Sequence, residues 1–487
     1  MSDSTPATAP PAGQHEKSRS GLRGNYLNFA EVLGQSIATI APTATLALVI
    51  PLVFATAGNG TWLVYLFGTI AIIFVAASVN VFTKHSASPG SLYAFAARGF
   101  GPGAGVITGW ALLLAYILTG AAVACGFANY ADVLLQYGHI AVPGALLVAI
   151  GVATAWYVSY RDIKLSANLM LGLEFLSIAL VLVVAVATLT HLGFHPDFNQ
   201  LRLVNVNPDS IRIGLVLAFF SFVGFEAAGT LGEEAKNPLK NIPRALTASA
   251  ASVGILFVFL AFVEVAGFAG SKTPLNASAA PLTDLAGFAG IGWLGPLISI
   301  GALVSFWACT LGCINAGSRI LFSLGRHGVF HSSVGSTHKT HDTPHIAVTI
   351  TAITIAIAPV ILLVAKTGGF FDIYGWTGTI ATFGFLFVYL VVALAAPFYL
   401  RTRGELKPLN VVLAVATVAI LAIPIFGSLV PLPAAPYGYF PFVFVGWLLL
   451  GLAWYAYRRS NSTVIGDIAE DLNQVAEHFR DPIPEPS

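Results

Sequence analysis

Long runs without a single charged side chain alternate along this chain with short clusters of basic residues. Residues 32–83 contain no Asp, Glu, Lys or Arg, and neither do residues 408–457. Each run exceeds twice the ~20 residues a helix needs to cross a bilayer, so each predicts two spans. Asn59-Gly60 supplies the turn in the first run, and Pro431, Pro433 and Pro436 divide the second. Between them, single spans are predicted over 104–133, 142–160, 165–190, 211–231, 246–269, 292–320, 344–365 and 373–400. The pattern is that of an all-α polytopic membrane protein with 12 transmembrane helices.

The basic residues orient it. With the N-terminus in the cytoplasm, 19 Lys and Arg fall on the cytoplasmic side, leaving Arg202, Arg212, Lys272 and Lys366 on the other. This positive-inside bias predicts a multi-pass protein of the cell (plasma) membrane with both termini cytoplasmic. Composition agrees: 9% of residues are charged, against about 25% in soluble domains. A net charge of +1 offers no footprint for nucleic acid, so the expected contacts are membrane lipid and a small molecule. The sequence leaves the oligomeric state open.

Chemistry narrows the class further. There is no His-Glu-x-x-His, no Gly-x-Ser-x-Gly, no pair of intramembrane aspartates and no Walker A sequence, which argues against an enzyme and against ATP-driven pumping. No cofactor or metal is expected. Cys125, Cys309 and Cys313 all fall in predicted spans and read as small core residues. Five histidines (His327, His331, His338, His341 and His345) crowd one loop, which reads as solvated surface. A channel filter is usually assembled from subunits with few helices. A secondary transporter instead predicts helices broken at matching places in two halves, with a few buried ionisable groups.

Both features are present. In the first span, Pro42 interrupts Ser36 to Thr45; it removes a backbone donor and frees carbonyls near Ala38. Thr39, Thr43 and Thr45 offer hydroxyls to freed backbone groups. The half-helix beginning after Pro42 has a positive dipole end that suits a carboxylate. In the sixth span, Phe219-Phe220-Ser221-Phe222-Val223-Gly224-Phe225-Glu226 places a glycine among aromatics and a carboxylate in mid-membrane. Spans 1 and 6 open successive five-helix units. Two other acids fall inside spans: Glu174 in the fifth, and Glu264 in the seventh, which reads as interfacial structure.

At these residues the chain resembles the amino acid–polyamine–organocation permease superfamily, from about residue 25 to residue 400. The resemblance rests on the sixth-span motif with Glu234-Ala235-Lys236-Asn237-Pro238 and Asn241-Ile242-Pro243-Arg244-Ala245, on Ala87-Ser88-Pro89-Gly90-Ser91-Leu92-Tyr93, and on Asn315-Ala316-Gly317-Ser318-Arg319. It implies a five-plus-five inverted repeat (the LeuT-like fold) with discontinuous helices 1 and 6. It also implies uptake of an amino acid or related amine by alternating access, driven by H+ or Na+, with H+ favoured because Glu226 falls on a proton-sensitive carboxylate of the family. A polyamine or organic-cation carrier or exchanger, and a transporter-like substrate sensor, are the alternatives.

The implied substrate wall is Ala41, Pro42, Thr43, Ala44 and Thr45, then Tyr116, then Phe219, Phe220, Ser221, Phe222 and Gly224. Phe220 would be an aromatic gate, and Glu226 and Glu174 the coupling groups. Counting back from Pro51, the family's substrate-holding turn falls on Ala44-Thr45-Leu46, without its usual glycines. Some members carry a Lys in mid-helix 5, where this chain has Glu174. The chain then divides into a disordered cytoplasmic tail (1–24), a ten-helix transport core (25–400), helices 11 and 12 (408–458) and a second cytoplasmic tail (459–487). In that last segment Ile465, Ile468, Leu472, Val475 and Phe479 form the apolar stripe of an acidic amphipathic helix.

Overall fold

A computed structural model describes residues 20–195 and 197–461. All named elements are helical, and a lone bridge from Leu27 to Ala235 is the strand-like contact among the described residues. The first apolar run forms α1 (Phe29–Ile40), α2 (Pro42–Ala44), a π-helical turn (Thr45–Val49), α3 (Ile50–Ala57) and α4 (Thr61–Thr83). Next come α5 (Leu92–Phe100), α6 (Pro102–Gln136), α7 (Gly144–Arg161), α8 (Ile163–His191), α9 (Phe198–Leu201) and α10 (Pro208–Phe219). A 3-10 segment (Phe225–Leu231) precedes α11 (Pro238–Gly267), α12 (Pro281–Phe288) and α13 (Gly295–Arg326). The chain closes with α14 (His345–Val364), α15 (Phe370–Thr402), α16 (Pro408–Gly427) and α17 (Phe440–Asn461). Ten stretches among the described residues are long and apolar enough to cross a membrane, Phe29–Thr83 counting as one.

Local chemistry sets the helix starts. Asn28 accepts from the Glu31 amide at 3.1 Å while Glu31 accepts from the Asn28 amide at 2.7 Å, a capping box that opens α1. Asp162 caps α8 through the amides of Lys164 and Leu165, and Asn207 caps α10 just before Pro208. The short helices α5, α9 and α12 had no counterpart in the hydropathy pattern, because each is too brief to show a period.

The bundle is built around α6, α13 and α15, which carry long buried stretches. Val412, Val415, Leu449, Leu450, Ile353, Ile361 and Phe175 are exposed on the outer helices. So many exposed large apolar side chains belong against lipid. The last helix docks reciprocally: Trp110 and Trp447 each donate the indole N–H to the other's carbonyl at 3.0 Å.

Both described chain ends lie on one face, called here the tail face. Arg23 pairs with Asp162 at 2.7 Å, Tyr26 and Leu27 donate their amides to the Glu234 carbonyl at 2.9 Å, and Arg458 donates to the Gly328 carbonyl. Residues 20–24 therefore do not belong to a disordered tail: Leu22 is fully buried and Arg23 is held by an acid on the α7–α8 turn. The rest of that tail, and the acidic amphipathic helix, lie outside the described residues.

Candidate functional site

The first break falls at Ala41. Pro42 disfavours right-handed helix in the residue before it, and Ala41 turns to φ 52°, ψ 71°. For a side chain with a Cβ this left-handed conformation costs of order 1–3 kcal/mol, so neighbouring contacts must hold it. The turn that counting from Pro51 placed on Ala44-Thr45-Leu46 is helical instead, running from α2 into the π-helical turn over Thr45–Val49. Freed groups find partners across the bundle. The Cys309 thiol donates to the Thr39 carbonyl at 3.1 Å, and Thr43 receives the Ser177 hydroxyl at 2.5 Å. Thr39 bonds back to the Gln35 carbonyl at 2.6 Å within its own helix.

The second break meets the first directly. α10 ends at Phe219, the chain turns through Phe220 to Val223, and Gly224 takes φ 95° before the 3-10 segment begins. A Cβ on Gly224 would sit 2.6 Å from the Thr39 methyl and 3.0 Å from the Thr39 backbone. Ser36 ties the two breaks together, donating to the Phe225 carbonyl at 2.5 Å and accepting from the Ala228 amide at 3.2 Å. Gly224→Ala therefore wedges the breaks apart and imposes a disfavoured φ. We expect it to lower stability by about 1–3 kcal/mol, read as a reduced melting midpoint of the purified protein.

Glu226 is fully buried just past this glycine. It accepts from the Tyr116 hydroxyl at 2.7 Å, from the Tyr389 hydroxyl at 2.6 Å and from the Gly224 amide at 3.2 Å. Tyr116 thus belongs to the site through Glu226, and its ring meets Phe385 edge-on at 5.3 Å. Phe219, Ser221 and Phe222 are buried, with Phe222 seated on Gly68 and against Phe257. Phe220 is half-buried, with its ring roughly perpendicular to that of Tyr374 at 5.6 Å and packed on Gly378. A cavity of about 10 Å³ lies beside it, bounded by Val49, Leu217, Tyr374 and Thr382.

Glu174 lies on α8 at the other side of the first break. It accepts from Ser305 at 3.0 Å and faces the Thr43 backbone amide, while its Oε2 has no partner among the described residues. Ala41 to Thr45 are buried, and of these Thr43 is the one that α8 contacts by hydrogen bond. Sequence reasoning named Ser36 only as the start of the first break, and missed Ser177, Ser305 and Tyr389. The serines carried a signal, being polar residues in apolar runs, whereas Tyr389 carried none.

At the tail face, Arg319 on α13 grips Glu234 bidentately, at 2.6 and 2.8 Å, with both side chains sealed from solvent. This joins two of the sequence blocks that carried the resemblance. The histidine loop is less solvated than its composition implied: His327 is buried, with Nδ1 2.6 Å from the Tyr93 hydroxyl. His338, His341 and His345 gather round Tyr160 with ring centroids 5.5–6.1 Å away. Burial and the positive neighbours His338, Arg161 and Arg23 push the His341 imidazole below its ordinary pKa.

The chain is 28% identical over 316 residues to the branched-chain amino acid permease BcaP of Bacillus subtilis, covering 60% of this chain and 65% of that one. It is 24% identical over 422 residues to the methylthioribose transporter of the same organism, covering 83% and 87%. It is 27% identical over 365 residues to the low-affinity putrescine importer PlaP of Escherichia coli K12, covering 70% and 74%. A profile of the amino acid permease family matches residues 31–463, nearly the whole chain, and the protein therefore belongs to that family of membrane transporters.

Proposed function

We propose that this protein takes up an amino acid or related amine across the cell membrane by alternating access, coupled to protons, with the two helix breaks as the substrate site. The observation that carries this is the direct junction of the breaks, Gly224 on Thr39 and Ser36 on Phe225, with the buried Glu226 beside it. Amides and carbonyls released at such a junction suit the carboxylate and ammonium of a small zwitterion.

Dividing the Phe29–Thr83 stretch at Gly58–Gly60, and counting α10 with its 3-10 continuation as one crossing, supports twelve crossings. The breaks then fall in the first and sixth, as a five-plus-five inverted repeat requires. The tail face carries the basic loops and is cytoplasmic on this reading. Glu226 and Glu174 are the coupling groups. The named substrates of the relatives, branched-chain amino acids, methylthioribose and putrescine, differ too much for the family to choose among them.

The test is uptake of labelled leucine, a panel of other amino acids, and putrescine by purified protein in proteoliposomes, under imposed pH or sodium gradients. Uptake should rise when the outside is made acidic. Uptake that ignores both gradients removes the coupling. Binding without flux would make the protein a sensor, and flux that needs an internal amine would make it an exchanger.

A further inference from the structure

A third carboxyl is sealed into the bundle, away from the two at the breaks. Glu264 on α11 reads from sequence as interfacial structure, yet it is only 1% exposed, and neither of its oxygens has a hydrogen-bond partner among the described residues. One turn further along α11, a Cβ on Gly267 would fall 2.2 Å from Leu285 of α12, so that short helix roofs this end. Two turns back, Phe257 packs on Tyr65 and Phe222. The Tyr65 hydroxyl sits 3.0 Å from Ser221 at the second break. Both the Tyr65 and the Tyr130 hydroxyls lie within electrostatic reach of the Glu264 carboxyl.

Tyr130 completes the group. It is fully buried on α6 and its hydroxyl has no partner among the described residues. Its ring leads back to the site: Tyr130 touches Phe306, Phe306 touches Tyr374, and Tyr374 meets Phe220. Glu264 and Tyr130 thus stand at the end of an aromatic path that begins at the second break.

An ionised carboxylate at such depth without a partner costs several kcal/mol. A neutral acid would instead leave a buried donor unmade, at about 1–3 kcal/mol. An ammonium group removes either penalty, through charge-assisted hydrogen bonds and contact with tyrosine faces. We propose that Glu264 and Tyr130 form a cation subsite for the distal ammonium group of a diamine whose other end sits at the breaks. This rests on the transport reading above and narrows its substrate class. A neutral aliphatic substrate would leave the subsite unsatisfied, and a site built to bond a polar group discriminates against analogues that lack it.

The test compares wild type, Glu264→Gln, Glu264→Asp and Tyr130→Phe by two measurements. One is the thermal midpoint in detergent with added putrescine, leucine or sodium chloride. The other is uptake of labelled putrescine and leucine in proteoliposomes. Putrescine should stabilise the wild type, and its half-saturating concentration should rise at least about tenfold in Glu264→Gln, corresponding to ~1.4 kcal/mol. It should rise less in Tyr130→Phe, with partial recovery in Glu264→Asp. Equal responses to putrescine in wild type and Glu264→Gln, or a wild type that binds leucine and ignores putrescine, overturn the subsite and leave the transport reading standing. Stabilisation by sodium without any amine, lost in Glu264→Gln, overturns it in favour of an inorganic cation. Putrescine binding without flux supports the subsite and refutes transport instead.

Discussion

Glu226→Gln should lower gradient-driven uptake by at least about tenfold, a loss of ~1.4 kcal/mol or more, while the protein still inserts and stays monodisperse. The carboxyl has three donors aimed at it, two tyrosine hydroxyls and the Gly224 amide. Glutamine has the same shape and keeps one oxygen. If that oxygen faces Tyr389 and Gly224, the amide nitrogen faces Tyr116, whose hydroxyl turns round to accept. The junction therefore survives, and what disappears is a group able to take up and release a proton beside the second break. Uptake measured against external pH separates the roles. The variant should show either no uptake or uptake insensitive to the imposed pH gradient. If Glu226→Gln keeps the wild-type pH dependence, Glu226 is a structural clamp and coupling resides elsewhere, with Glu174 as the next group to test.

The largest effect on stability should come from Glu234→Ala. Arg319 and Glu234 exchange two short hydrogen bonds in a site sealed from solvent, and Arg319 also donates to the Asn315 carbonyl at 3.0 Å. Removing the acid strands a buried guanidinium, which costs about 3–5 kcal/mol. The melting midpoint should fall accordingly, and the yield of folded protein with it. Replacing both partners with apolar residues, as in Glu234→Leu with Arg319→Met, should recover much of the loss, since an apolar pair leaves no charge without a partner. A double variant as unstable as the single one would mean that the pair is needed for more than its own neutralisation. The Glu234 backbone would not be at fault, because its carbonyl still receives the amides of Tyr26 and Leu27.

Much of the fold was legible from uncharged runs alone, because a bilayer demands long apolar helices and charges mark their ends. Predicted spans such as 104–133 and 344–365 lie within a few residues of Pro102–Gln136 and His345–Val364. The break positions were also legible, since Pro42 and Gly224 act on the backbone locally. The register at the first break was not. A π-helical turn between Pro42 and Pro51 changes the residues per turn, and no side chain announces it. Partners were illegible for a different reason. Tyr389 reaches Glu226 from 163 residues away, and Arg319 reaches Glu234 from 85. Neither separation leaves a mark on local periodicity. Glu264 shows the same limit in reverse: hydropathy placed it near a span end, and the packing of α12, α8 and α4 against α11 decides its burial.

The pairing of Leu27 with Ala235 also dictates an order of events during synthesis. Residues 26 and 27 emerge from the ribosome early, yet the carbonyl they bond belongs to Glu234, and the side chain of Glu234 is neutralised by Arg319. Arg23 can meet Asp162 once α7 is made, but the amides of residues 26 and 27 must wait for their carbonyl until about half of the protein has been synthesised, and the acid beside it stays unneutralised until Arg319 follows. A chain truncated just before residue 319 and released into the membrane should hold its first helix more loosely than one truncated well beyond it, and protease protection of the N-terminal segment would report the step.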